Sequence, residues 1–326
     1  MNGNRNAAIG GLFCIAFVVL RVPGLGDDAW ARALLLFAAL VLVPLVLDLL
    51  GERNEARLAA RWLAWVRAWQ LPAVGLLALA CVVREGAWAA ALAFPWLALT
   101  WLLAAIGVVR AVRHGWARPL GRLAGDIALL FAAVGGLWTF FDRAGLRPLG
   151  LDPAIVTLTA VHFHYAGLLL ALFAGLALRA RPESRFAARV VVGVVLAVPA
   201  VALGITSTQL GWGAALEAAA GVALALTGLM LAGLHLAIAL RPGPRTARVL
   251  LGIAGASLAG GMILAACYAL RSIVAPIPAL GIPQMRMIHG TINALGFGLC
   301  GTLGWRAFLA QTEPAAKKNV SAGAAP

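Results

Sequence analysis

The sequence predicts an all-α fold, a polytopic transmembrane bundle of about ten helices, and three observations carry that prediction. Of the 326 residues, 63% are hydrophobic and 12% are charged, whereas a soluble protein carries about a quarter charged residues. The apolar residues are gathered in charge-free blocks, several of them 18 residues or longer. That is the length a helix needs to cross a hydrocarbon core about 30 Å thick. The blocks also lack the period-two alternation of outer-membrane barrel strands.

Ten spans follow in order, at 7–21, 30–50, 71–84, 87–109, 121–141, 153–178, 187–206, 213–240, 247–269 and 286–306. The first begins with a weakly positive segment and has no clear small-residue cleavage site, so it reads as a membrane helix rather than a leader. Residues 51–69 place arginines on one face with Trp62, Trp65 and Trp69 nearby, the pattern of an interfacial amphipathic helix. The third span is short. It turns at Arg84-Glu85-Gly86 straight into the fourth, which predicts a helical hairpin or a re-entrant segment. The loop 270–285 is apolar with three prolines and is expected to lie on the membrane surface or fold back over the bundle. Residues 1–310 thus form one transmembrane helical domain. The polar, Ala/Gly-rich stretch 311–326 is expected to be a disordered cytoplasmic tail.

The net charge of +14 comes almost wholly from arginine. With both termini in the cytoplasm, 19 of the 26 basic residues fall on the inner side, which agrees with the enrichment of Lys and Arg in cytoplasmic loops. The basic balance is therefore assigned to loops and not to nucleic-acid binding. The expected setting is a bacterial inner (cytoplasmic) membrane, crossed many times. The expected partners are the lipid bilayer and a small-molecule or ion ligand. Cys14, Cys81, Cys267 and Cys300 lie in or beside apolar runs without a CxxC pair and read as small hydrophobes.

The chemistry concentrates in polar groups inside the spans, because ionisable side chains are costly in a bilayer and usually face the bundle interior. His162 and His164 precede Arg179 by 17 and 15 residues, and His289 precedes Arg306 by 17. At 1.5 Å per residue the three imidazoles share one depth, about 22–26 Å from the inner arginines. Residues two apart on a helix point about 200° away from each other. One of His162 and His164 should therefore share a site with His289. The other faces a second neighbour, unless a local distortion brings the pair together. His164 continues into a small-residue stripe through Gly167, Ala171, Ala174 and Gly175, while His162 shares a face with Thr159 and Ala166. His289, Asn293, Gly296 and Cys300 form one face of the last span, with Gly290 beside them. Tyr165 and Glu217 lie at the same end of the bundle and are candidate additions. Asp126 is expected to pair with Arg122, and Asp142, at a helix end, needs no special role. The turn Thr206-Ser207-Thr208-Gln209 is placed to shape a pocket mouth.

Three functions fit this constellation. The first is handling of a small molecule or ion, with His162, His164, Tyr165, His289, Asn293 and Glu217 as ligand contacts or proton carriers, extending to proton-linked transport. The second is a membrane enzyme or redox protein in which His162, His164 and His289 hold a transition metal or haem. The third is a structural role for interhelical hydrogen bonds. No HExxH motif is present, and no internal repeat of the kind many transporters carry is evident.

The stretches TAVHFHYAG (159–167) and HGTINALGFG (289–298) resemble the paired signatures of the YndJ-like family of bacterial membrane proteins. The likeness lies mainly in these two stretches and in the hydropathy profile, with the second half the better match. The resemblance implies a polytopic membrane protein without an established activity, sometimes loosely called a transporter. It marks His162, His164, Gly167, His289, Gly290, Asn293 and Gly296 as the positions to carry over, and it supplies no mechanism.

Overall fold

A computed structural model describes residues 3–21, 26–51, 55–114, 119–274 and 280–322, with side chains described for all of these except residues 21, 26–28, 114, 272 and 312–322. Among the described residues there are ten helical elements and no strands. They are α1 (Gly3–Arg21), α2 (Gly26–Phe37, continuing through Val43–Val46), α3 (Arg57–Val82), α4 (Ala87–His114), α5 (Leu120–Ala144), α6 (Pro153–His162, continuing through Ala171–Ala180), α7 (Arg185–Gln209), α8 (Ala215–Ala239), α9 (Arg245–Ala269) and α10 (Ile282–Gln284, continuing through Cys300–Ala322). Nine of the described helices are long and apolar enough to cross a membrane. α10 is not one of the nine. Its glycines, threonines, His289 and Asn293 lower the mean hydropathy of the stretch expected to form the tenth span.

The expectation for residues 51–84 is corrected. No separate surface helix precedes a short span, because one unbroken helix runs from Arg57 to Val82 with Pro72 inside it. Arg67, which suggested a surface position, reaches across to donate to the Leu47 carbonyl at 2.9 Å. The turn at Arg84-Glu85-Gly86 does join two helices directly. Gly86 adopts φ +141°, a conformation that L side chains rarely reach, and its N–H donates to the Arg143 carbonyl at 2.9 Å. Part of the loop 270–285 lies outside the described residues; its start is a single turn at Leu270–Ser272.

Sequential helices pack as neighbours through most of the bundle, and α2 and α6 are the most deeply buried of the nine spans. Three helices leave regular α geometry. α2 widens into a π-helical segment at Ala38–Leu42, α6 at Phe163–Leu170, and α10 at Met285–His289 and again at Ile292–Leu299. The segments 38–42, 163–170 and 292–299 touch one another in the centre of the bundle. A π turn shifts the main-chain hydrogen-bond register and leaves carbonyls to be satisfied by side chains. Gln70 of α3 does this for α2, donating to the Ala39 carbonyl at 2.8 Å.

Two buried ion clusters tie the helices together. Arg110 of α4 bonds both Glu55 and the Leu50 carbonyl, and its Nη1 lies 3.7 Å from Asp126 Oδ1 of α5. Asp126 therefore pairs with Arg110 from the neighbouring helix and not with Arg122 on its own. At the other end of α5, Asp142 accepts from Arg143 Nε and from Thr157 Oγ1 of α6, each at 2.6 Å, while Arg143 reaches the Ala80 carbonyl at 3.3 Å. Asp142 is 2% exposed and Arg143 1%, so this pair joins α3, α5 and α6 from inside.

Candidate functional site

A cavity of about 340 Å³ lies among α2, α6, α7, α8, α9 and α10. It occupies the end of the bundle where α7 ends, α8 begins, α9 ends and α10 begins, and it reaches inward as far as Leu258 and Phe297. Its walls are mainly apolar. Glu217, Arg271 and Arg286 supply its charge, and Thr208 and Gln209 of the predicted turn line it as well.

Of the residues singled out from sequence, His162, Tyr165, His289, Asn293 and Glu217 all line this cavity. His164 does not. As the 200° offset requires, it points to a second neighbour, and the π segment that begins beside it does not turn it back. Its Nε2 accepts from Trp96 Nε1 of α4 at 3.3 Å and its Nδ1 faces the Ala160 carbonyl at 2.8 Å. A tryptophan N–H can only donate, so the imidazole proton sits on Nδ1 and both ring nitrogens are spent. Gly135 of α5 makes room for this ring, since a Cβ there would stand 2.7 Å from His164 Nδ1.

The three-histidine metal centre is therefore not formed. Among the described residues no group of three or more His, Cys, Asp or Glu is gathered closely enough to hold a metal ion. Glu217 does not pair with an imidazole either. It accepts from Arg271 Nη2 at 2.7 Å, and Arg271 in turn lies over the Tyr268 ring, 3.8 Å from its centre.

Inside the cavity the polar hydrogens follow one pattern. His162 Nε2 is 3.1 Å from the Val198 carbonyl and His289 Nδ1 is 2.8 Å from the Gly261 carbonyl. A carbonyl only accepts, so these nitrogens carry the protons. Tyr165 Oη donates to the Leu34 carbonyl at 2.9 Å and Thr159 Oγ1 to the Ile155 carbonyl at 2.7 Å. Asn293 Nδ2 donates to the His289 carbonyl at 2.9 Å and lies 3.3 Å from both ring nitrogens of His289. That contact fixes the amide orientation. Asn293 Oδ1 is left without a hydrogen-bond partner, in a residue 8% exposed.

The predicted packing glycines are at close contacts. An added Cβ would come within 2.8 Å of Phe131 at Gly167, 2.5 Å of Leu34 at Gly290 and 2.0 Å of Ser257 at Gly296. Gly261 of α9 was not picked out from sequence. Its missing side chain lets the Asn293 amide lie against α9, where a Cβ would meet Nδ2 at 2.6 Å.

Fold and cavity together define a polytopic α-helical membrane protein with an internal cavity near one end of the bundle. The chain belongs to the YndJ-like family: the model of that family, described as YndJ-like protein, matches residues 33–297. It is similar to the uncharacterized membrane protein YndJ of Bacillus subtilis (strain 168), with 28% identity over 307 residues, 93% of this chain and 53% of the relative. The chain thus spans about half the length of that curated relative. No solved structure matches it.

Proposed function

We propose that the protein binds a small molecule in the cavity, with His162, His289, Asn293 and Tyr165 as its polar contacts and Glu217 with Arg271 at the mouth. One observation carries this reading. Polar side chains from α6 and α10, on separate stretches of chain, converge on a single cavity whose walls are mainly apolar. A few placed polar groups in an apolar hollow of at least about 300 Å³ is the usual form of a small-molecule site. The setting proposed is a bacterial inner membrane with both termini cytoplasmic, which puts the mouth on the outer side.

Binding, rather than proton-linked transport, is the part of the sequence expectation that the cavity supports, because the lining residues lie toward one end of the bundle. Ala202 of α7 lines the wall, and Ala202→Phe fills it. Native mass spectrometry of the protein extracted in mild detergent is expected to find a small molecule on the wild type and none on Ala202→Phe. An equal load on both would refute the assignment to this cavity.

A further inference from the structure

We infer that the ligand is a neutral amphiphile whose head group donates hydrogen bonds, an alcohol or phenol on an apolar body. The inference rests on the binding role proposed for the cavity and deepens it.

The argument is a count of hydrogens. His162, His289, Tyr165, Thr159 and Asn293 each spend a hydrogen on a main-chain carbonyl. What they leave for a ligand is lone pairs. Asn293 Oδ1 is buried without a hydrogen-bond partner, and His162 bonds the main chain through Nε2, which leaves Nδ1 as the acceptor. The oxygens of Tyr165 and Thr159 can still accept, while the lone pair of His289 Nε2 is taken by the second Asn293 N–H at 3.3 Å. A buried acceptor left unpaired is costly, so the complementary head group brings O–H or N–H. A carboxylate or phosphate finds no spare hydrogen on these five side chains and would have to stop nearer the mouth, at Arg286 and Arg271.

Charge separates the two remaining donor classes. Among the described lining residues there are two guanidinium groups, Arg271 and Arg286, and one carboxylate, Glu217, which Arg271 already engages. An ammonium head would enter past this net positive charge. A hydroxyl carries no such penalty. The apolar walls between Ile155 and Phe297 accept the body.

The test uses the full chain in lipid nanodiscs and four amphiphiles of one chain length: decanol, decyl methyl ether, decanoate and decylamine. Thermal unfolding is followed by tryptophan fluorescence. Decanol is expected to raise the Tm by several degrees, and the ether, acid and amine by much less. In His162→Phe and in Asn293→Leu the decanol shift is expected to vanish. An ether shift equal to that of decanol would overturn the inference, since no donor would then be needed. A larger shift with decanoate or decylamine would overturn it in favour of an ionic head group, and the binding role would stand. Equal small shifts with all four, unchanged in both variants, would remove the binding role and the inference together. The wild-type series is decisive by itself if either variant fails to fold.

Discussion

His162 and His164, two positions apart in sequence, have different surroundings: His162 lines the cavity and His164 does not. His164 of α6 sits between Trp96 and its own helix, and His235 of α8 repeats the arrangement, accepting from Trp305 Nε1 at 3.0 Å with Nδ1 at 3.1 Å from the Leu231 carbonyl. Both are buried, at 1% and 0% exposure, with both nitrogens paired. Replacing His164 by Leu strands the Trp96 N–H, and leaving a buried donor unpaired costs about 1–3 kcal/mol. His164→Leu is therefore expected to lower the Tm and leave the decanol response intact, and His162→Phe to do the reverse. Unfolding curves with and without decanol separate the two. Gly261→Ala is a subtler case. Its new methyl meets the Asn293 amide, so the expected result is a weaker decanol shift with a small loss of stability, read in the same assay. Spacing alone made it legible that one histidine of the pair on α6 shares a site with His289. Which of His162 and His164 faced the cavity was not, because that depends on the rotation of α6 about its axis, and nothing local in the sequence sets it.

Between elements, the Glu55–Arg110–Asp126 cluster is the main polar tie joining α4 and α5 to the segment before α3. Removing the cation leaves two carboxylates buried without it, and breaking a buried pair in this way costs about 3–5 kcal/mol. Arg110→Met is expected to unfold at much lower temperature, and adding Asp126→Asn to restore part of the loss, as measured by thermal unfolding in detergent. The sequence pointed to Arg122 because it lies one turn away on the same helix. The actual partner is 16 positions off and on another helix. Asp142 was passed over for a related reason. A charge at a helix end usually meets water, and only the folded bundle shows that α3 and α6 close over this one. The error at residues 51–84 has the same root. Arginines along α3 weaken its apolar pattern, yet Arg67 reaches a carbonyl of the neighbouring chain segment through Nη2 and the helix continues.

At the scale of the molecule, the fold class was legible because composition and block length are properties of the whole chain. The proposed orientation makes a prediction there. Trp212, 76% exposed beyond α7, and Leu240, 80% exposed beyond α8, lie at opposite ends of the bundle. In a cysteine-free background, Trp212→Cys is expected to react with a membrane-impermeant maleimide in spheroplasts, and Leu240→Cys only after the membrane is opened. The reverse pattern would place the mouth in the cytoplasm. What the sequence concealed is the widening of α2, α6 and α10 where they meet. A widened turn holds one residue more than a regular helix of the same rise. Deleting a residue from a regular helix rotates everything beyond it by about 100° and turns its inner face outward. Deleting one from Phe163–Leu170 or Ile292–Leu299 instead lets a regular helix close, with both ends still on their partners. A scan of single-residue deletions is expected to yield membrane-inserted, folded protein at these segments and none within α4. Two of the helices that line the cavity, α6 and α10, are thus where this chain is expected to shed length and keep its shape.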